Sequence, residues 1–326
     1  MTGLSDSFQR PINYLRISVT DRCNLRCVYC MPTEGIQLIA HEDILSYEEI
    51  YAVARAAAEL GINKVRLTGG EALVRAGLSS LVRMLTQIST IDDISLTTNG
   101  ILLARFAAEL KSAGLRRVNV SLDTLKPDKF KRITRGGNLD DVLHGMEVAE
   151  SVGLSPIKIN LVVMPGVNDE ELLDFAARTI KDEWHVRFIE HMPFGENCQT
   201  SPFISVSEIK KRLAALGKLE PCLMKAGNGP AKYFRLPLAK GTIGFITPVS
   251  EHFCFHCNRL RLTADGKLRP CLLSDEEIDL KQPLRNGISP EELKKLIKKA
   301  AAKKPLRHRL TEGHIPHGRS FSQIGG

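Results

Sequence analysis

The chain has 326 residues, with 45 Lys and Arg against 37 Asp and Glu, a formal charge of +8, and 43% of it is hydrophobic. That length accommodates two domains with ample core, and the composition excludes a disordered, collagen-like or coiled-coil chain. No apolar run approaches the roughly 18 to 20 residues of a membrane span, and the first ten residues hold no apolar run of a signal peptide. A cytoplasmic protein is therefore expected.

The first half alternates β-rich runs with helical patterns. Strands are predicted at Tyr14 to Val19, Lys64 to Thr68, Ile94 to Thr98, Arg116 to Leu122, Ile157 to Val163 and Val186 to Glu190. Between them, Tyr47 to Leu60 reads as a helix opened by a Ser46/Glu49 capping box and closed by Gly61. Helices also fit Leu78 to Ile88, Leu102 to Ala113, Leu139 to Val152 and Glu170 to Thr179. Repeated strand-helix units imply an α/β fold, a parallel sheet with right-handed crossovers. Six units suit a partial (β/α)6 barrel, with functional groups at the carboxyl ends of the strands.

After Pro193-Phe194-Gly195 the rhythm changes to a capped helix, Ser205 to Leu216, then strands at Lys232 to Leu238, Thr242 to Pro248 and Arg259 to Thr263. The expected division is residues 1–195 and a smaller carboxyl-terminal domain, 196–326. Residues 281–310 hold ten basic and two acidic side chains, so they carry all of the +8. Ser289-Pro290-Glu291-Glu292 starts a helix there, with lysines toward its negative end. A solvated helix face explains this charge, and no nucleic-acid partner is expected.

Six of the eight cysteines form two triads. Cys23, Cys27 and Cys30 are a C-x3-C-x2-C run after the first strand. Three thiolates this close can hold three irons of a 4Fe-4S cube and leave the fourth open. Zinc would need a fourth ligand, for which His41 is the nearest candidate, and a disulfide suits neither the compartment nor the odd number. Cys254, Cys257 and Cys271 form C-x2-C-x13-C. Spacing leaves open a zinc site completed by His252 or His256 and a second cluster. Cys198 and Cys222 read as small, half-buried side chains.

The run Cys23-Asn24-Leu25-Arg26-Cys27-Val28-Tyr29-Cys30, with Thr68-Gly69-Gly70-Glu71 ending the second strand, resembles the signature of the radical S-adenosylmethionine superfamily. Within it the chain is similar to the GTP 3′,8-cyclase family of molybdenum-cofactor biosynthesis. That likeness is carried by Asp21-Arg22, Met31-Pro32, Leu96 to Gly100, Ser121-Leu122-Asp123, Arg187 to Glu190, the second triad and the terminal Gly325-Gly326.

The resemblance implies two 4Fe-4S clusters, on Cys23, Cys27, Cys30 and on Cys254, Cys257, Cys271. It assigns S-adenosylmethionine to Tyr29, Gly70, Ser121 and Met192, and GTP to Arg16, Arg66, Thr97, Lys158, Arg259, Leu260 and Arg261. Lys64 and Arg187 are further strand-borne cations suited to a triphosphate. The implied reaction removes the ribose 3′ hydrogen with a 5′-deoxyadenosyl radical and joins the 3′ carbon to guanine carbon 8. Arg259 and Arg261 are then candidates for stabilising charge or delivering a proton, while Gly325 and Gly326 assist initiation.

The resemblance further implies an external one-electron donor, a product passed to the next pathway enzyme, and a homodimer. Ala72 stands where the family usually has proline. The rival expectations are a radical enzyme modifying a peptide or RNA, and a zinc-dependent nucleic-acid-binding protein.

Overall fold

The computed structural model describes residues 3–192, 203–224, 227, 229–313, 316 and 318–325. Residue 195, Cys198 and Gly326 lie outside the described residues. Twelve strands form one sheet: β1 Tyr14–Ser18, β2 Lys64–Thr68, β3 Asp93–Thr98, β4 Arg117–Ser121, β5 Lys158–Val163, β6 His185–Glu190, β7 Glu220–Pro221, β8 Lys232–Arg235, β9 Thr242–Ile246, β10 Arg259–Leu262, β11 Lys267–Arg269 and β12 Ile278–Asp279. Their order is β12-β11-β10-β1-β2-β3-β4-β5-β6-β9-β8-β7. The six expected strands run parallel at its centre, each within about a residue of its predicted bounds.

The helices are α1 Tyr47–Glu59, α2 Leu78–Thr86, α3 Leu103–Ser112, α4 Pro127–Thr134, α5 Leu139–Ser151, α6 Leu172–Lys181, α7 Val206–Leu213, α8 Lys281–Arg285, α9 Pro290–Ala302 and α10 Phe321–Ile324. Both bonds of the Ser46/Glu49 capping box form, and Ser289/Glu292 repeats the device at α9. The predicted strand to Leu238 stops at Arg235. Leu238 adopts φ 60° and projects into solvent, which a paired strand residue cannot do.

The carboxyl-terminal residues extend the sheet at both ends. Strand β10 pairs in parallel with β1, matching Tyr14, Leu15 and Arg16 with Arg259, Leu260 and Arg261. Strand β9 pairs in parallel with β6. The outer face of the sheet packs on the helices through a core that includes Leu15, Ile17, Val65, Leu67, Val118, Val120, Ile159, Leu161 and Leu260, and the cavities lie on its inner face. Strand alternation leaves Tyr14, Arg16, Arg66, Ser95, Arg117 and Arg261 on the inner face. Arg269, Arg261, Arg16, Arg66, Ser95 and Arg117 stand in one register row across six strands.

Candidate active site

The carboxyl ends of β1 to β4 meet a loop carrying the first triad. Cys23, Cys27 and Cys30 line a cavity of about 200 Å³ together with Tyr29, Gly70, Glu71, Thr97, Asn99, Ser121, Asp123, Asn160, Met192 and Ser322. The loop is held from below by α4, a helix not foreseen in the sequence. Arg26 and Val28 donate their backbone N–H groups to Thr134 O and Ile133 O at 3.1 and 2.9 Å. Arg135, the left-handed cap of α4, donates to Met31 O at 2.9 Å and Arg26 O at 3.2 Å.

Glycines 69 and 70 let two backbones touch. Gly70 N–H donates to Thr20 O and Glu71 N–H to Arg22 O, both at 2.8 Å. A Cβ at Gly70 would lie 2.3 Å from Arg22 O, and one at Gly69, with φ +141°, 2.3 Å from Thr20 O. The glycine at 70 is thus required by the chain's own packing against the cysteine loop. Glu71, buried, accepts from Leu73 N–H at 3.0 Å, Thr98 Oγ1 at 2.8 Å and Asn99 N–H at 2.6 Å. Ala72 follows it as the first residue of a 3-10 turn, a position whose N–H is not needed and where proline and alanine both fit.

Tyr29 donates its hydroxyl to Asp123 Oδ2 at 2.8 Å, and Asp123 Oδ1 accepts from Val162 N–H at 2.9 Å. Burial raises the Asp123 carboxyl to about 6 despite both bonds. Burial likewise pushes the Cys23 thiol up to about 11 and Cys30 to about 12, and raises Cys27. Glu71, Asp123 and Glu190 line this cavity, with no Lys or Arg among its described lining residues. Three thiols whose ionised forms lack a cationic neighbour are a donor set that binds positive charge, as a metal centre supplies it.

A second cavity of about 140 Å³ adjoins the first, sharing Asn160, Ile189 and Met192. Cys254, Cys257 and Cys271 line it, with Arg16, Arg66, Arg187, Arg259, Arg261 and Lys304. No carboxylate is among its described lining residues. The guanidinium groups repel one another. Burial first, then Arg261 and Arg66 among its neighbours, holds Arg16 well below its usual value, and burial brings Arg261 to about 9 and Arg66 to about 10. Converging cations at this cost are suited to hold a polyanion. For Cys257, burial raises the thiol, but Arg259 and Lys304 outweigh it and pull it to about 6. Arg259 Nη2 donates to its sulfur at 3.6 Å.

The other expected site residues fall as follows. Thr97 lines the first cavity, where Thr97 Oγ1 and Asn160 Oδ1 are buried without a hydrogen-bond partner among the described residues. These are atoms that a bound ligand can satisfy. Lys158 is buried at the start of β5, its ammonium 5.6 Å from the Tyr233 ring centroid. Burial, then Arg187, Arg117 and Arg66, lowers it to about 6. Lys64 begins β2 and lines neither cavity. The Leu260 side chain lies in the core on the opposite face from Arg259 and Arg261, so only its backbone is available to a ligand.

Gly325 reaches this centre from the far end of the chain. Its carbonyl accepts from Arg261 Nη1 at 2.8 Å. It adopts φ +64°, and a Cβ would lie 2.4 Å from Thr68 Cγ2. Asp123, Asn160 and Lys304 were missed as site residues. Asp123 lies within the Ser121-Leu122-Asp123 motif, while Asn160 and Lys304 carry no local signal.

A single tetrahedral zinc would bring its sulfurs to about 3.8 Å of one another, from Zn–S bonds near 2.3 Å. Among the described residues only His252, Cys254 and His308 place three ligand atoms within 4.8 Å of each other, so neither triad is contracted to that spacing. His308 and His252 instead share a hydrogen bond at 3.2 Å. Among the described residues no helix is long and apolar enough to cross a membrane.

The radical SAM superfamily model matches residues 17–178 and the Molybdenum Cofactor Synthesis C model residues 184–310. The chain is 54% identical to the GTP 3′,8-cyclase of Pelotomaculum thermopropionicum, covering 99% of this chain and all of the relative. It is 52% identical to that of Moorella thermoacetica over the same shares. Streptococcus suis SuiB bound to precursor peptide SuiA shares the fold at a TM-score of 0.63 and 14% identity, over 91% of this chain and 66% of that one. Two cysteine-lined cavities, with both family models and full-length relatives spanning them, establish that the chain belongs to the GTP 3′,8-cyclase family of radical S-adenosylmethionine enzymes.

Proposed function

We propose that this chain converts GTP to (8S)-3′,8-cyclo-7,8-dihydroguanosine 5′-triphosphate, with the two adjoining cavities dividing the work. The observation that carries this is the opposite charge of their described lining residues: carboxylates and thiols without Lys or Arg in the first, six Lys and Arg side chains without a carboxylate in the second. A sulfonium cofactor suits the first and a triphosphate the second.

In this reading Cys23, Cys27 and Cys30 hold a 4Fe-4S cluster, and Tyr29, Gly70, Ser121 and Met192 border S-adenosylmethionine. Together these groups supply 5′-deoxyadenosyl radical chemistry when bound. Asp123 fixes the Tyr29 ring through its hydroxyl. Glu71 fixes the turn that brings Gly70 against the cysteine loop.

Arg16, Arg66, Arg259 and Arg261 grip the triphosphate, with Lys158 gaining a proton as the anion approaches. Thr97 and Asn160 offer polar atoms at the shared wall. Cys254, Cys257 and Cys271 hold a second 4Fe-4S cluster facing the purine. Arg259 and Arg261 place positive charge where the base is reduced and protonated, and Gly325, held by Arg261, assists initiation together with Gly326. Residues 1–195 then carry the first cluster and S-adenosylmethionine and residues 196–326 the second cluster, with both contributing side chains to GTP. An external one-electron donor, a cytoplasmic setting, a homodimer and transfer of the product to the next pathway enzyme complete the proposal.

Anaerobic incubation of the reconstituted protein with reductant, S-adenosylmethionine and GTP tests it. Equal amounts of 5′-deoxyadenosine and cyclised nucleotide are expected. Cofactor cleavage that leaves GTP unconsumed would overturn it.

A further inference from the structure

Lys304 sits in a lysine-rich stretch that the sequence presents as a solvated face, yet it is only 3% exposed. It follows Lys303, the residue that caps α9. An ammonium has three hydrogens to place. One goes to Arg259 O at 2.8 Å and one to Pro270 O at 2.7 Å. Cys257 supplies a further acceptor. Arg259 lies two residues after Cys257, and Pro270 directly precedes Cys271. One buried cation therefore ties together the two segments that carry the second triad and rests its charge on their thiols. Nothing comparable occurs in the first cavity, where no Lys or Arg is among the described lining residues.

Burying a lysine is unfavourable unless its charge is used. The two carbonyls and Cys257 accept its hydrogens, while burial first and then the Arg259 guanidinium nearby disfavour its charge. Thiolates are the counter-charge at hand. We infer that Lys304 is a positioning residue for the second cluster, bracing its two cysteine segments and raising its reduction potential relative to the first. The inference rests on the reading that the second triad holds a cluster. Positive charge beside a cluster favours the reduced, more negative form, and hydrogen bonds to its sulfurs act in the same direction.

The test is an anaerobic redox titration followed by electron paramagnetic resonance on wild type, Lys304→Gln, Lys304→Met and Lys304→Arg, each with its iron content. Gln keeps an N–H donor and removes the charge; Arg keeps the charge. The expected result is a second-cluster potential shifted to more negative values in Lys304→Gln, a smaller shift in Lys304→Arg, and an unmoved first cluster in both. An unshifted second cluster in Lys304→Gln, or equal shifts in Gln and Arg, would overturn the inference. So would an unmoved second-cluster potential in Lys304→Met, whereas loss of the second cluster from the Gln and Met variants but not from Arg, with the first retained, would support a brace that needs the charge. A wild-type protein holding only about four irons would overturn the two-cluster reading instead, before any substitution is made.

Discussion

The two cavities share three described lining residues and each holds a cysteine triad, but the charge around the triads is opposite. The first is lined by thiols and carboxylates, and burial raises the three thiols it contains. In the second, arginines and a lysine face the cysteines, and one thiol is drawn down to about 6 against its own burial. A cluster in the first environment is hard to reduce and so a strong reductant once charged. In the proposed reading one in the second is easier to reduce and lies beside cations suited to an anion. The difference teaches that cysteine spacing marks where a centre can form, while the charge around it sets what the centre can do.

Serine substitutions break the comparison most sharply. Cys27→Ser is expected to abolish 5′-deoxyadenosine formation, whereas Cys257→Ser retains cofactor cleavage and loses the cyclised product. In each variant the iron count falls from about eight to about four. Chromatography of the quenched reactions separates the two outcomes. Next, Arg261→Ala is expected to weaken GTP binding by about 10- to 100-fold, as the loss of a charge-assisted contact does. S-adenosylmethionine binding, measured by calorimetry, should stay as it was.

Gly325→Ala tests the tail that joins the cavities. Its φ of +64° and the 2.4 Å approach to Thr68 Cγ2 make an added methyl cost about 1 to 3 kcal/mol of local strain. A lower kcat is expected with GTP affinity little changed. Thr68→Ser, which removes the opposing methyl, should recover part of the loss.

Lys158 gives the pH test. Burial lowers its folded value to about 6, beneath that of the unfolded chain, so ligand-free Lys158 is mostly neutral at pH 7. The unfolded state then holds the extra proton, and this group's contribution makes stability rise with pH from about 6 up to the ordinary lysine range. Lys158→Met should flatten that slope in thermal unfolding. GTP binding near pH 7 should take up a proton, seen as a buffer-dependent heat that the same substitution removes. The smallest effect is expected for Ala72→Pro, within about 0.5 kcal/mol in unfolding experiments, because the first residue of a helical turn needs no N–H.

Much of this architecture was legible in the sequence. The six inner strands follow from local β-rich runs between capped helices, and the cysteine triads from spacing. Helix α4 was passed over because Lys126 to Arg132 is mostly charged. Its start was nonetheless signalled by Pro127 in the first turn and Asp128 beside it. The pairing of β10 with β1 joins Arg16 to Arg261 across the whole chain, and no local pattern encodes such a contact. The burial of Lys304 is of the same kind. Its neighbours in sequence are solvent-facing lysines, and only the folded position of the second triad draws it inside.

The central claim is that the shared wall lets one cavity act on a ligand held by the other. The most direct measurement uses GTP carrying deuterium at the ribose 3′ position and follows 5′-deoxyadenosine by mass spectrometry. The account predicts one deuterium in each 5′-deoxyadenosine formed alongside cyclised nucleotide. Unlabelled 5′-deoxyadenosine, produced while labelled GTP is consumed, would contradict it.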